Sequence, residues 1–307
     1  MVEVGLVPFA RVALAVATAV VPPFRHPRSK HVFTQPQLLA ILCLMRYEDW
    51  TFREAEVRLA EHRELRRALR LRRVPDYTTL CRFLARLDPT DVALAVAEIG
   101  RRLPPRPGPP GGRRGGAIVA VDATGLTTGA VSTYFVRRLE EATGQRRSRA
   151  HWLKWLIAID TARRLIVAQD PHRGPLNDVR RLPGVLAGLP AELAVAWVVA
   201  DREFDREANH QYIHRVLGAE SAIPVRRHGA PRPGAPVSGR YRAQMAQRFP
   251  TTAYGQRALS ESVFSAVKRK LSPRAPGRSL ATQCQQALVL GLAYNVYRLK
   301  PCSAAAA

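Results

Sequence analysis

The chain has 307 residues, of which 47% are hydrophobic, so it can bury a substantial core and is not a wholly disordered protein. Its 48 Lys and Arg residues outnumber 24 Asp and Glu residues, which gives a formal net charge of +24 at pH 7. Such an excess favours nucleic acid or another polyanion as a partner, because bound phosphates release their counterions, although a GC-rich genome that favours Arg codons would also raise the charge.

The first predicted element is a short apolar run from Val12 to Val21. This run is too short for a membrane-spanning helix, which needs about 20 residues. It follows Glu3 and the single basic residue Arg11, whereas a signal peptide begins with a basic cluster. We therefore expect a buried helix here rather than a signal peptide. Since no other stretch is long and apolar enough to span a bilayer, we expect no membrane partner.

Residues 1–104 are predicted to form a mainly helical region. Apolar side chains recur at helical spacing in Gln37–Tyr47, and Phe52–Leu71 is an amphipathic stretch rich in Arg. Pro75–Thr78 then offers a turn and an N-cap for a helix over Leu80–Leu87. The arginines on the outer faces are consistent either with a DNA-binding module or with a helical cap that makes no contact with DNA.

A basic linker rich in Pro and Gly is predicted at residues 105–116, where this composition excludes regular structure. Residues 117–300 are expected to form a second domain, followed by a frayed tail over residues 301–307. The second domain is predicted to begin with strand Ala117–Val121 and a hairpin of Trp155–Ile159 and Leu165–Ala168. A helix over 177–189 follows, which Pro183 bends or breaks. The remaining predicted elements are strand Leu193–Ala200, helix Asp205–Leu217, strand Ser221–Val225, an exposed basic loop over 226–250, and helices Gly255–Lys270 and Thr282–Leu299. This order suits an α/β fold, a mixed sheet with helices on both faces.

The cysteines and histidines do not follow the spacing of a zinc site or a disulfide framework. The four cysteines lie far apart and include no CxxC pair, which fits a reducing cytoplasm. His210 and His214 have the spacing of two helical zinc ligands, but Gln211 stands where the zinc-protease pattern needs Glu. We expect an ordinary surface helix there instead.

Two aspartates, Asp122 and Asp201, are each predicted to end an apolar strand. Groups at the carboxyl ends of strands gather at one edge of an α/β sheet, so the two carboxylates are expected to lie close together. Divalent cations between them would relieve their repulsion and activate water for attack on phosphate. Oxygen ligands favour Mg²⁺ or Mn²⁺. The alternative is that each aspartate is a helix cap or lies in a surface turn.

Four polar residues are predicted to share one stripe of the helix that follows residue 250, at offsets 0, 3, 7 and 14: Tyr254, Arg257, Glu261 and Lys268. At about 100° per residue they fall within an arc of about 60°, whereas the apolar residues of the helix face another way. The alternative is an exposed stripe in which Arg257 and Glu261 form an ordinary i,i+4 ion pair.

This spacing resembles the YREK signature of bacterial insertion-sequence DDE transposases, which have a ribonuclease-H-like catalytic core. The segment Ala117–Thr124 is similar to the first aspartate region of that family, and Val198–Asp205 is similar to the second. Residues 242–250 also resemble members of the group. The resemblance covers residues 117–299, and it is weaker over residues 34–90.

The resemblance implies that Asp122, Asp201 and Glu261 bind two Mg²⁺ or Mn²⁺ ions and are the catalytic acids. Water activated at one ion would free a 3′-hydroxyl at the element's end, and that hydroxyl would then attack target DNA. The DNA-binding residues at the site would be Tyr254, Arg257 and Lys268, which hold the terminal nucleotides. The implied partner is double-stranded DNA, bound by a homodimer in the bacterial cytoplasm at the nucleoid.

The chain departs from the family pattern at Glu203 and Phe204, which replace the usual Gly and Tyr after the second aspartate. The alternatives are therefore an inactive, transposase-derived DNA-binding protein, a nuclease of the same fold, or a purely structural protein. We expect residues 34–90 to contribute to recognition of the element ends. His172 and Asp178 lie in a region that could approach the site, and no role is assigned to them.

Overall fold

The computed structural model of the protein describes residues 4–26, 28, 32–104, 116–129, 138, 141–142, 144, 152–174, 177–226 and 237–299. The predicted linker at 105–116 lies outside the described residues except for Gly116, and the predicted tail at 301–307 lies outside them entirely.

Six helices precede the first described strand, which confirms the predicted N-terminal helical region. The predicted buried helix is present in α1, whose side chains Phe9, Ala13 and Ala17 are inaccessible to solvent. Within the described residues, no helix has both the length and the apolar character needed to cross a bilayer. The six helices are α1 (Leu6–Val20), α2 (Gln35–Tyr47), α3 (Phe52–Glu61), α4 (Arg63–Ala68), α5 (Tyr77–Ala85) and α6 (Pro89–Arg102).

Side-chain caps fix the starts of these helices. Thr34 accepts a hydrogen bond from the Gln37 backbone N–H, and the Gln37 side chain accepts one from the Thr34 N–H, so α2 begins with a capping box. The predicted cap of α5 is also present, because the Asp76 carboxylate accepts from the Thr78 N–H at 2.7 Å.

The described strands form one mixed five-stranded sheet in the order β3-β2-β1-β4-β5. β1, β2 and β3 pair antiparallel, whereas β4 and β5 run parallel to β1. The strands are β1 (Ala117–Thr127), β2 (Trp152–Asp160), β3 (Leu165–Arg173), β4 (Val195–Ala200) and β5 (Glu220–Ala222). The predicted fold class, a ribonuclease-H-like mixed sheet flanked by helices, is therefore confirmed.

The prediction that Asp122 ends the first strand is wrong. β1 continues to Thr127 because its second half stays hydrogen-bonded to β2, with Asp122 opposite Ile157 and Thr127 opposite Trp152. The fifth strand is also shorter than predicted, since β5 ends at Ala222.

The helices of the second region differ from the predictions at two places. In the predicted helix 177–189, a 3₁₀ turn at Asp178–Arg180 comes first, and Pro183 then lies in the first turn of α7, where its missing N–H breaks no hydrogen bond. The loop predicted for 226–250 contains the helix α9. The helices are α7 (Leu182–Ala187), α8 (Glu207–Arg215), α9 (Arg240–Gln247), α10 (Thr251–Tyr254), α11 (Ala258–Lys270) and α12 (Leu280–Leu299).

The two faces of the sheet have different cores. The face that includes Ile157 packs against α11, α12 and the N-terminal helices, and the opposite face, which includes Leu156, packs against α7 and α8. α12 contacts β3 as well as α1, α2 and α6, so the N-terminal helices share one core with the sheet. The Asn295 amide on α12 also bonds both the N–H and the C=O of Ile166 on the edge strand β3. The division into separate domains near residue 104 stays a prediction.

Candidate active site

Asp122 lies on the sheet face that packs against α11, and its side chain is 17% exposed. One carboxylate oxygen accepts from the Ala123 N–H at 2.8 Å, and the other contacts the Ser260 hydroxyl at 2.7 Å. Burial raises the pKa of Asp122, and the charge of Asp201 adds to the increase, although Ser260, the Ala123 N–H and Arg257 oppose it. Burial has removed water that would stabilise the charged carboxylate, and a bound cation could stabilise that charge instead.

Ser260 is a site residue that sequence reasoning missed. Its hydroxyl lies 2.7 Å from the Asp122 carboxylate and 2.8 Å from the Arg257 carbonyl oxygen, and its single hydrogen can satisfy only one of these acceptors at a time. Ser260 is completely buried on the packed side of α11. A serine among the apolar residues of a helix is a signal that could have identified it, because a buried hydroxyl needs a partner.

The guanidinium of Arg257 lies between two acids. Its Nη1 is 3.6 Å from the Asp122 carboxylate, and its Nη2 donates to Glu261 Oε1 at 3.0 Å. Burial alone would lower the pKa of Arg257, but Tyr254, Asp122 and Glu261 outweigh it and raise the pKa. Glu261 is 66% exposed, so its carboxylate is free to turn away from Arg257 at little cost. The Arg257–Glu261 ion pair that was given as the alternative interpretation is thus present, and Arg257 also contacts Asp122.

Asp201 directly follows β4, as predicted. Because Ala200 pairs with Val121 in the parallel β1–β4 ladder, Asp201 and Asp122 follow adjacent positions of neighbouring strands. The Asp201 carboxylate caps a 3₁₀ turn by accepting from the Glu203 N–H at 2.8 Å. Glu203 is exposed and Phe204 is buried in the core of the opposite face, so this turn forms without the Gly and Tyr of the family pattern.

The polar stripe is carried by three successive helical segments rather than by one helix. Tyr254 ends α10, Arg257 lies in a 3₁₀ turn, and Glu261 and Lys268 belong to α11. Arg257 lies over the Tyr254 ring, with its Cζ 6.0 Å from the ring centroid. Lys268 Nζ donates to Thr124 Oγ1 at 2.7 Å, two residues beyond Asp122 on β1. The stripe therefore extends along β1 on both sides of Asp122.

His172 and Asp178 lie on the other face of the sheet. His172 pairs with Lys154 across β2 and β3, and both side chains bind Asp178, at 3.0 Å from His172 Nε2 and 2.5 Å from Lys154 Nζ. Asp170 on the same face forms a two-pronged ion pair with Arg181. We call these five residues the Lys154–Asp178 cluster. It does not approach Asp122.

A second contact that the sequence did not predict joins Val198–Asp205 to residues 242–250, two segments that are similar to the transposase family. The Asp205 carboxylate accepts two hydrogen bonds from Arg242, at 2.8 and 2.9 Å, and one from the Arg226 N–H. Burial raises the pKa of Asp205, but His210, Arg242 and the Arg226 N–H outweigh it and lower the pKa to about 2. This ion pair ties the turn after Asp201 to α9, which leads into the polar stripe.

The histidines of α8 do not form the surface that the sequence predicts. His210 is fully buried, and its Nδ1 lies 2.8 Å from the hydroxyl of Ser221 on β5. His214 Nε2 contacts the same hydroxyl at 3.1 Å. The prediction of an ordinary surface helix is therefore wrong for His210, because the helix packs this side against the sheet.

The donor atoms near Asp122 fit a hard cation, although they are not gathered around one point. Asp122, Asp201 and Glu261 offer only carboxylate oxygens, the ligands that Mg²⁺ and Mn²⁺ prefer. Within the part of the chain that the structure describes, no group of three His, Cys, Asp or Glu side chains is close enough to hold a metal. Glu261 is turned towards Arg257 instead.

One family of known proteins matches most of the second region of the chain. The sequence model of the family described as Transposase DDE domain matches residues 113–296. Among solved structures, the chain is similar to "Cryo-EM structure of piggyBac transposase synaptic complex with hairpin DNA", with a TM-score of 0.42 and 10% sequence identity over 95% of this chain and 72% of that one. No protein of curated function matches the sequence.

Proposed function

The chain belongs to the family of transposases with a DDE domain, and from this membership we propose that it cuts the ends of a mobile DNA element and joins their 3′ ends to target DNA. The catalytic acids in this proposal are Asp122, Asp201 and Glu261. Residues 117–300 form the catalytic part, and the N-terminal helices contribute to DNA binding. The proposed setting is the bacterial cytoplasm, with the chain acting as a homodimer on double-stranded DNA.

One observation carries the proposal: a single guanidinium links Asp122 to Glu261, and Asp201 follows the strand next to Asp122. Asp122 of β1 and Glu261 of α11 thus flank one positive group, and Asp201 follows β4 beside Asp122 on the same side of the sheet. An arrangement that already holds a cation between two acids can exchange it for a metal ion without new strands or helices.

Two bound Mg²⁺ or Mn²⁺ ions would supply an activated water and neutralise charge on the leaving oxygen. Asp122 and Asp201 would hold them from the sheet, where the Ala123 and Glu203 N–H groups fix the two carboxylates. Glu261 would complete the set by turning away from Arg257, and its exposure permits that rotation.

The basic residues of the stripe would hold DNA near the acids. Arg257, once separated from Glu261, can bind a phosphate through two N–H groups, and Lys268 supplies a point charge beside Thr124. The face of the Tyr254 ring contacts the Arg257 guanidinium, and the same ring packs against Phe249, with the two ring centroids 5.0 Å apart. Its proposed role is to limit where the guanidinium and the terminal nucleotide can lie.

The test is cleavage of supercoiled DNA that carries the element's native ends, with Mg²⁺, by the wild type, Asp122→Asn and Glu261→Gln. Glu192→Gln is the matched control, because Glu192 is an exposed carboxylate whose ion pair with Arg101 lies on other elements. We expect loss of at least about 1,000-fold in cleavage rate in the first two variants and none in the control.

The products separate the alternatives. Joined strands identify a transposase, and cleavage without joining identifies a nuclease. End-specific binding by a wild type that does not cleave in Mg²⁺ or Mn²⁺ identifies an inactive DNA-binding protein and contradicts the proposal.

A further inference from the structure

A groove lined by three arginines lies between α1 and the end of α4. Its volume is about 570 Å³, and its charged side chains are Arg11, Arg67 and Arg70. The other residues that line it are uncharged, among them Leu14, Ala15 and Ala68. Arg11 belongs to α1, whereas Arg67 belongs to α4 and Arg70 to the turn that ends it, so the fold, rather than a local run of charge, brings Arg11 to the other two.

The three guanidiniums of the groove are unpaired. Among the described residues, no carboxylate forms an ion pair with Arg11, Arg67 or Arg70, and no acidic residue lines the groove. Some arginines elsewhere in the N-terminal region are paired, such as Arg101 with Glu98 at 2.8 Å. Because the three guanidiniums have no acidic partner and line a groove, they are available to bind an anionic ligand.

The backbone of Arg70 provides an independent observation. α4 ends in a Schellman motif, in which the Leu71 N–H bonds the Arg66 carbonyl at 2.9 Å and the Arg70 N–H bonds the Arg67 carbonyl at 3.0 Å. Arg70 occupies the left-handed position of this motif, with φ of 54°. That position favours glycine, because a Cβ there is crowded by the neighbouring backbone. The chain thus keeps a guanidinium at a place where glycine would be more stable.

We infer that this groove binds the phosphate backbone of the DNA on which the enzyme acts, an assignment that rests on the proposed function. Arginine suits this ligand, since its planar fork can give two hydrogen bonds to one phosphate. The groove contacts DNA without reading bases, so it positions the duplex and lends affinity to every sequence alike. It extends the DNA-binding surface beyond residues 34–90, because Arg11 belongs to α1.

The experiment measures DNA affinity by fluorescence anisotropy over a range of salt concentrations for the full chain. For Arg11→Gln/Arg67→Gln/Arg70→Gln, we expect affinity to fall roughly 100-fold, equally for element ends and for random duplex, and the slope of log affinity against log salt to decrease by about 2.7. Arg101→Gln is the control and should change the slope by less than about one unit. An unchanged slope in the triple variant overturns the assignment.

A second variant separates binding from folding. Arg70→Gly should raise the melting temperature by about 2 °C, because glycine relieves the left-handed backbone, and should still weaken DNA binding by roughly fivefold. A variant that becomes more stable yet binds DNA as the wild type does would show that the Arg70 side chain has no role in binding, and would overturn its assignment.

Two further outcomes are informative. If inorganic pyrophosphate binds the wild type but not the triple variant, and both bind DNA equally, the groove is a small-anion site and the DNA assignment is wrong. If the triple variant loses DNA affinity while neither the wild type nor Asp122→Asn cleaves DNA, the groove assignment stands and the proposed catalytic function fails.

Discussion

Two clusters of charged residues lie on opposite faces of the same sheet, and they differ in how completely their acids are paired. Asp178 in the Lys154–Asp178 cluster is 5% exposed and contacts the Lys154 ammonium and the His172 ring at 2.5 and 3.0 Å. Asp122 is also largely buried, yet its nearest guanidinium nitrogen is 3.6 Å away and that guanidinium also binds another acid.

This difference is consistent with a structural role for Asp178 and with the role proposed for Asp122. Each oxygen of Asp178 already has a partner, Lys154 or His172, so a further ligand would have to displace one of them. Burial makes the Asp122 carboxylate costly to ionise, and its partner Arg257 is shared with Glu261. A metal ion bound to Asp122 would therefore stabilise the charged carboxylate. Each of the following predictions alters one side of this comparison.

The largest effect is expected on the paired side. Asp178→Asn should lower the free energy of unfolding by about 3 kcal/mol, because it leaves the largely buried Lys154 ammonium without its carboxylate. Urea denaturation measures this loss. The double variant Asp178→Asn/Lys154→Met should recover much of it, and cleavage per folded molecule should stay at the wild-type value. Full stability in the single variant would mean that the ion pair contributes nothing.

Asp122→Asn should instead raise the free energy of unfolding of the metal-free protein. Because the pKa of Asp122 is raised in the folded state, the folded protein binds that proton more tightly than the unfolded chain does. Stability from this group is therefore present below the ordinary carboxyl pKa and is lost as pH rises through the raised value. We expect Asp122→Asn to be more stable than wild type at pH 7, on the order of 1 kcal/mol.

Denaturation with EDTA from pH 3 to pH 7 checks this prediction. The wild type should lose stability relative to Asp122→Asn as pH rises. A constant difference across the range would show that Asp122 does not titrate abnormally.

Arg257→Gln should raise the affinity of the DNA-free protein for Mn²⁺ by about fivefold, because it removes a cation that competes for Asp122 and Glu261. Electron paramagnetic resonance of free Mn²⁺ measures this affinity. Arg269→Gln is the matched control on α11, since Arg269 binds only Ser265 among the described residues. Weaker Mn²⁺ binding in Arg257→Gln would show that the guanidinium supports the metal site rather than competing with it.

The smallest effect is expected at the departure from the family pattern. Glu203→Gly should change cleavage less than about threefold, because the Glu203 side chain is exposed and only its backbone N–H contacts Asp201. Cleavage rates at saturating Mg²⁺ compare the two proteins. An increase of more than about tenfold would mean that the acidic side chain hinders the site.

The sequence predicted the elements that rest on local signals. A helix near α5 was predicted from the turn and N-cap over Pro75–Thr78, although α5 begins at Tyr77 rather than Leu80, and β4 was predicted from an apolar run that ends before Asp201. Strand length was harder, because β1 continues past Asp122 only through pairing with a strand some 30 residues later in the chain. That pairing is not visible in the local alternation of residues.

The site was only partly predicted, because some of its contacts also depend on pairing and packing between distant segments. Spacing alone placed Arg257 and Glu261 on a common stripe, but the contact of Ser260 with Asp122 depends on how α11 packs against β1. The face on which His172 lies depends on the register of β3 with β2, and a shift of one residue would reverse it. Tertiary packing decides such contacts, and the roles assigned to the site residues stay predictions.

The position of α12 has a consequence for synthesis of the protein. Leu280–Leu299 leaves the ribosome after every other described helix and strand, yet it completes the core that α1 and α2 begin and covers the edge of β3 through Asn295. An incomplete chain therefore exposes both an open core and an unpaired strand edge, which are targets for proteases and aggregation. We therefore expect a chain that lacks α12 to be degraded or to aggregate rather than to fold.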